Sequence, residues 1–239
     1  MALLYTKDII DIALAEDGYQ CGANKWNKYA EELDAVDYFV GCGSKQNLNY
    51  CSVFTSWVAY RAIRSTKPEN YGEFDPSAGD ARFFLFQSDT CNKAAVVKYA
   101  ADYYKQNNAY FTDSSKLCKG DQIFFQNSAG LSHTGWCFDW DAEGFYTIEG
   151  NVDGGRVEKR FYKYSEFGNY VNGFGRPRYD GWAYPEPEPE PEPQPTPEPE
   201  PAEKTFTLSA KVTVKTTKDI DEVRKILENT EIILSDFGT

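Results

Sequence analysis

The sequence predicts an α+β protein with a tethered appendage. Helix-period segments fill the first half, strand-period segments begin near Lys119, and a proline-alternating run cuts off a short C-terminal piece. Residues 6–17 place Ile9, Ile10, Ala13 and Leu14 on one helical face, and residues 51–64 do the same with Val53, Phe54, Trp57, Val58 and Ile63. Residues 92–106 read as a third helix. Gly120-Asp121 then marks a turn into a strand at Gln122-Ile123-Phe124-Phe125. Residues 132–139 and 144–151 alternate about a polar turn at Asp139–Gly144, which predicts an antiparallel hairpin. Helices packed on a small antiparallel sheet account for residues 1–184.

From Pro185 to Pro201 proline alternates with Glu, Gln or Thr. Proline at every second position forbids helix and removes ladder donors, leaving an extended polyproline II spacer. At ~3.1 Å per residue it reaches roughly 50 Å. Residues 202–239 read as a small α/β module: a strand over 204–215, a helix over 219–229, and a strand from Glu231 to Phe237. So short a piece buries too little for a secure core of its own, so self-association into a homo-oligomer through residues 202–239 is expected.

The chain of 239 residues carries a formal charge of −12. Residues 1–184 hold 19 basic and 24 acidic side chains, so the first domain is only mildly acidic. Nucleic acid is excluded as a partner, because phosphate binding needs concentrated Lys and Arg. No segment approaches a membrane span. Met1-Ala2-Leu3-Leu4-Tyr5-Thr6-Lys7-Asp8 lacks the basic start and apolar run of a signal peptide, so synthesis as a soluble cytoplasmic product is expected. Seventeen tyrosines and sixteen phenylalanines suit an aromatic core better than a sugar-facing surface. The six cysteines (Cys21, Cys42, Cys51, Cys91, Cys118 and Cys137) are too scattered for a disulfide scaffold and show no CxxC spacing. Most are expected to be reduced packing thiols, Cys91, Cys118 and Cys137 among them.

His133 is the single histidine. Cysteine-dependent acyl transfer needs a base near neutral pH, and imidazole is the usual one, so His133 is the forced choice if such chemistry operates. Among the thiols Cys51 stands out. It follows the polar stretch Ser44–Asn49 and opens a helix, where free amides and the helix dipole favour a thiolate. If the hairpin turns near Asp141, His133 lies nearly opposite Gly150, so Glu149 or Asn151 falls across from it, depending on register. Either would orient the imidazole, the third role in a nucleophile–base–orienter system. Asp139-Trp140-Asp141-Ala142-Glu143-Gly144 has the start of a calcium loop, but its twelfth position is Gly150 rather than a bidentate glutamate, so a polar hairpin turn is the preferred reading and no cofactor is assigned.

Taken together, Asn49-Tyr50-Cys51-Ser52-Val53-Phe54-Thr55-Ser56-Trp57-Val58, Lys119-Gly120-Asp121-Gln122-Ile123-Phe124-Phe125, Ser132-His133-Thr134-Gly135 and Tyr146-Thr147-Ile148-Glu149-Gly150-Asn151 resemble the CHAP domain. This is the cysteine, histidine-dependent amidohydrolase/peptidase of the wider NlpC/P60 and papain-like group. Glu16-Asp17-Gly18-Tyr19 and the closing Gly173-Phe174-Gly175-Arg176-Pro177 add to the likeness, which covers roughly residues 5–180. Thr134-Gly135-Trp136 departs from the small apolar residues more usual after the histidine, and 65–92 is less typical. The resemblance implies a papain-like fold and an amidase or endopeptidase acting on bacterial peptidoglycan. Cys51 would be nucleophile, His133 base and later acid, Glu149 the orienter, with Asn151 assisting it or lining the site. The Cys51 N–H would donate to the oxyanion, with a second donor among Gln46, Asn47 and Asn49. Without a signal peptide, an endolysin-like role at the cell wall is expected. The rivals are a papain-like protease acting on proteins and a non-catalytic wall-binding protein on the same scaffold.

Overall fold

The longest helix is also the most deeply buried, and the rest of the domain is arranged around it. The computed structural model describes residues 3–65 and 77–179, together with 219, 221, 222, 224 and 225. Helix α3 (Cys51–Ser65) buries 12 of its 15 residues. Such all-round burial marks a central helix rather than a surface one. Around it lie α1 (Thr6–Ala15), α2 (Lys28–Ala35), α4 (Ser77–Phe84) and α5 (Val97–Gln106). Asn27 caps α2, its side-chain oxygen accepting from the Ala30 N–H at 2.8 Å.

The strands are β1 (Tyr110–Phe111), β2 (Gln122–Asn127), β3 (Gly130–Trp140), β4 (Gly144–Val152), β5 (Arg156–Lys163) and β6 (Val171–Gly175). They form one antiparallel sheet in the order β1-β6-β2-β3-β4-β5. Alternation splits the sheet's side chains between two cores. Phe124, Trp136, Ile148 and Val157 join the helices in the larger core. Ile123, Phe125, Cys137, Phe145 and Phe174 make a smaller one on the other face. The domain is thus the mixed α+β arrangement expected, with helices against an antiparallel sheet.

Two devices fix α3 against the sheet. Gln122 lies buried between helices and strands: its Nε2 donates to Thr55 Oγ1 at 3.0 Å and Thr134 Oγ1 at 3.1 Å, while its Oε1 accepts from the Tyr104 hydroxyl at 3.1 Å. At Gly150 a Cβ would stand 2.7 Å from Phe54 Cβ, so β4 approaches α3 as closely as it does only because that position is glycine. Elsewhere a buried pair closes the sheet. Arg176 is bidentate on Asp121, with both bonds 2.9 Å, and its guanidinium lies over Phe111 and Phe174.

Three expectations need correction. The helix expected over 92–106 begins only at Val97. Asn92 is fully buried and its amide bonds Tyr38, Gln87 and the Ala94 N–H, which holds that segment in a turn. Cys91 is exposed rather than a packing thiol, and Cys118 is only partly buried. Strand β5, which the sequence reading did not assign, pairs along β4 and completes the sheet's edge. The polar turn at Asp139–Gly144 is a hairpin turn: Asp141 accepts from the Glu143 and Gly144 N–H groups and from the Tyr146 hydroxyl, and Asp139 pairs with Lys119.

The chain divides into two compact units, Met1–Pro191 and Glu192–Thr239. In the second, 221, 222, 224 and 225 are helical. The proline-rich spacer at 185–201, the strands expected at 204–215 and 231–237, and the self-association assigned to 202–239 lie outside the described residues. Among the described residues no helix is long and apolar enough to cross a membrane.

Candidate active site

Cys51 is the first residue of α3 and is 5% exposed. The segment leading into it is held from several sides. Asp34 accepts from the Ser44 hydroxyl and the Lys45 N–H, and the Gln46 amide pairs with both backbone groups of Asn27. The Tyr50 hydroxyl donates to the Gly155 carbonyl at 2.8 Å, with the Asn151 main chain beside it. These bonds fasten the start of α3 to the β4–β5 turn.

His133 stands on β3 and Glu149 on β4. The ladder pairs Gly135 with Glu149, so His133 sits diagonally across from the carboxylate on the same face. Its Nε2 is 2.8 Å from Glu149 Oε2. The Cys51 thiol is near enough to the imidazole to bear on its charge. With Nε2 committed to Glu149, Nδ1 is the ring nitrogen left for sulfur. The structure therefore gathers Cys51, His133 and Glu149 at one place.

Asn151 takes a different place. It adopts φ 62°, a left-handed conformation that asparagine tolerates better than most residues, and it meets Tyr50 through its main chain. Among the described residues its side chain makes no hydrogen bond to His133 or Glu149. Of the two neighbours the register offered, the glutamate is the one that contacts the imidazole.

Glu149 is 1% exposed and is hydrogen-bonded from two sides, by His133 and Thr147 Oγ1, with the Tyr162 phenol close by. Burial and the neighbouring Glu149 push the Tyr162 phenol far above its ordinary range, so Tyr162 stays protonated there. Burial works against a charged His133, but its neighbours Cys51 and Glu149 outweigh that. The imidazole is pushed up to about 10. A protonated imidazole between a buried carboxylate and a sulfur is the state that a thiolate nucleophile requires.

Sequence reasoning missed three contributors. Thr147 lies two residues before Glu149 on the same face, so strand alternation contained the signal. Tyr162 belongs to the unassigned β5. Gly135 is the third: a Cβ there would stand 2.5 Å from Glu149 Cγ and 2.9 Å from the Ile148 carbonyl oxygen. Its missing side chain is what lets the glutamate fold across β3 toward His133.

A cleft of about 500 Å3 opens beside Cys51, walled by the 42–49 loop, the 93–99 segment and the start of β3 at Leu131 and Ser132. Asn49 lines it, with its Oδ1 held by the Lys25 ammonium. Among the described residues no cluster of three His, Cys, Asp or Glu side chains is arranged to hold a metal ion.

No protein-family model matches this chain. No curated protein and no solved structure matches it either.

Proposed function

We propose that residues 1–184 form a CHAP-like cysteine amidohydrolase of the papain-like and NlpC/P60 group, acting as an endolysin-like peptidoglycan hydrolase. The observation that carries the catalytic part is the bonded His133–Glu149 pair beside the Cys51 thiol, which bears on the charge of the same imidazole. The substrate class rests on the motif resemblance.

In this reading the Cys51 sulfur attacks an amide carbonyl carbon, and the carbonyl oxygen takes the charge. The Cys51 N–H, at the first turn of α3, is the oxyanion donor in this reading. Asn49 is the best placed second donor, because it lines the cleft while Gln46 is engaged with Asn27. Protonated His133 gives its proton to the leaving amine as the C–N bond breaks, leaving a thioester. Neutral His133 then takes a proton from water, whose oxygen attacks the thioester and releases the acid and the thiol. Glu149 positions the imidazole and balances its charge in both halves.

The test is clearing of purified Gram-positive cell walls by wild type beside Cys51→Ala, with mass spectrometry of the released fragments. Clearing is expected from wild type, with a loss of about 10⁴-fold or more in the variant. Free stem peptides would identify an amidase, and cut stem or cross-bridge peptides an endopeptidase. Cys51-dependent cleavage of casein without wall clearing would replace this reading with a protease. Wall binding without clearing by either protein would replace it with a binding module.

A further inference from the structure

The cleft beside Cys51 has a charge that contrasts with the rest of the chain. The protein carries −12 overall, yet no aspartate or glutamate lines this cleft, while Lys45 and Lys93 both do. Their charges converge, since both bear on the Cys42 thiol in the same wall.

Lys45 is the more telling of the two. It is only 5% exposed, and its ammonium donates to the Cys42 and Gly43 carbonyls and lies 5.6 Å from the Phe39 ring centre. Among the described residues no carboxylate is within ion-pair distance of it. An ammonium has three donors, and a nearly buried one without a counter-charge is costly. Lys93, on the exposed rim, is likewise without an ion pair there, its Nζ resting 5.5 Å from the Tyr99 ring centre. The remaining surface is apolar and open: Leu48 is 52% exposed, Val96 54% and Tyr99 40%, all of them lining the cleft.

We propose that this cleft binds a short aliphatic peptide bearing a free carboxylate, which Lys45 and Lys93 hold while Leu48, Val96 and Tyr99 cover its small side chains. This rests on the amidohydrolase reading and narrows it: the recognised part of the substrate is a peptide acid rather than sugar, as in an alanine-rich wall stem peptide. At the mouth of a concave, partly apolar site the buried Lys45 and the rim Lys93 act on the same carboxylate, Lys45 shielded and Lys93 within reach of salt.

The experiment uses the full chain carrying Cys51→Ala, so that binding is read without turnover. An alanine-rich tetrapeptide of wall-stem composition, with its carboxylates free, is titrated by calorimetry against the same peptide with every carboxylate converted to carboxamide. The acid is expected to bind about tenfold more tightly. That preference should shrink as salt is raised, vanish on adding Lys93→Met and return with Lys93→Arg. Lys93 is exposed, so its replacement leaves folding intact, which Lys45→Met does not guarantee. Equal affinity for the two peptides, preference for the carboxamide, or binding of neither overturns the proposal. Equal affinity alongside wall clearing by wild type leaves the hydrolase standing without this recognition. Preference for the acid without any clearing leaves the cleft's ligand standing and removes the hydrolase.

Discussion

Two buried ion pairs in the same sheet have opposite characters. Asp121 and Glu149 are each 1% exposed, and each faces a cation. Around Asp121 the arrangement is closed: Arg176 grips both oxygens, the Cys118 N–H adds a third bond, and the guanidinium is covered by Phe111 and Phe174. Around Glu149 the arrangement is open at one end. Its cation is an imidazole, which can release a proton, and beyond the imidazole lies a thiol at the mouth of a cleft. Burial of a carboxylate is common to both. What separates a clasp from a candidate active site is a titratable partner with a free side facing a nucleophile.

That comparison can be broken by cutting each pair. The largest effect belongs to Arg176→Met, which leaves Asp121 buried without its partner. Stability should fall by about 3–5 kcal/mol in chemical denaturation, while activity per folded molecule stays near wild type. An unchanged denaturation midpoint would mean that the clasp holds nothing. Glu149→Gln should behave the other way round. The imidazolium loses its charge partner, so kcat should fall about 10²-fold, or about 2.7 kcal/mol in the barrier, with the fold retained. Unfolding of that variant would turn the second pair into a structural one like the first.

Gly135→Ala sharpens the contrast, because it touches only the open pair. The added Cβ must displace Glu149 or the Ile148 carbonyl, at an expected cost of about 1–3 kcal/mol in stability, accompanied by loss of activity. Full activity in the alanine variant would show that the glutamate reaches His133 by another route. The open pair also sets a pH window. The folded His133 value, about 10, lies above the ordinary 6.5. Its contribution to stability is therefore fully present below about pH 6.5 and is lost as pH rises through about 10. The difference in Tm between wild type and His133→Gln should narrow from pH 6 to pH 10.5. A difference that stays constant would rule out a held imidazolium.

Local chemistry was enough to single out several parts. The apolar spacing at 51–64 marked the buried helix, and the break from Asn49 into that periodicity put Cys51 at its start. A lone histidine needed no choosing. Alternation on either side of Asp141 placed His133 near Glu149 and Asn151, and a two-residue period carries that much without any tertiary information. Where local rules failed, a long-range bond had taken over. Asn92 looked like the start of a helix, but its buried amide is used on Tyr38 and Gln87 and the helix begins five residues later.

The sequence by itself determined which side chains were candidates for acyl-transfer chemistry and on what kind of element each would stand, because periodicity and capping act over a few residues. The tertiary structure alone decided which neighbour met the imidazole. Gly135 and Glu149 are paired through the ladder, Gln122 and Gly150 set how α3 lies on the sheet, and only then does the thiol reach the ring. It likewise gathered Lys45 and Lys93, distant in the chain, into the lining of one cleft. Those outcomes depend on ångström-scale approach between segments far apart in sequence, which sequence periodicity does not encode.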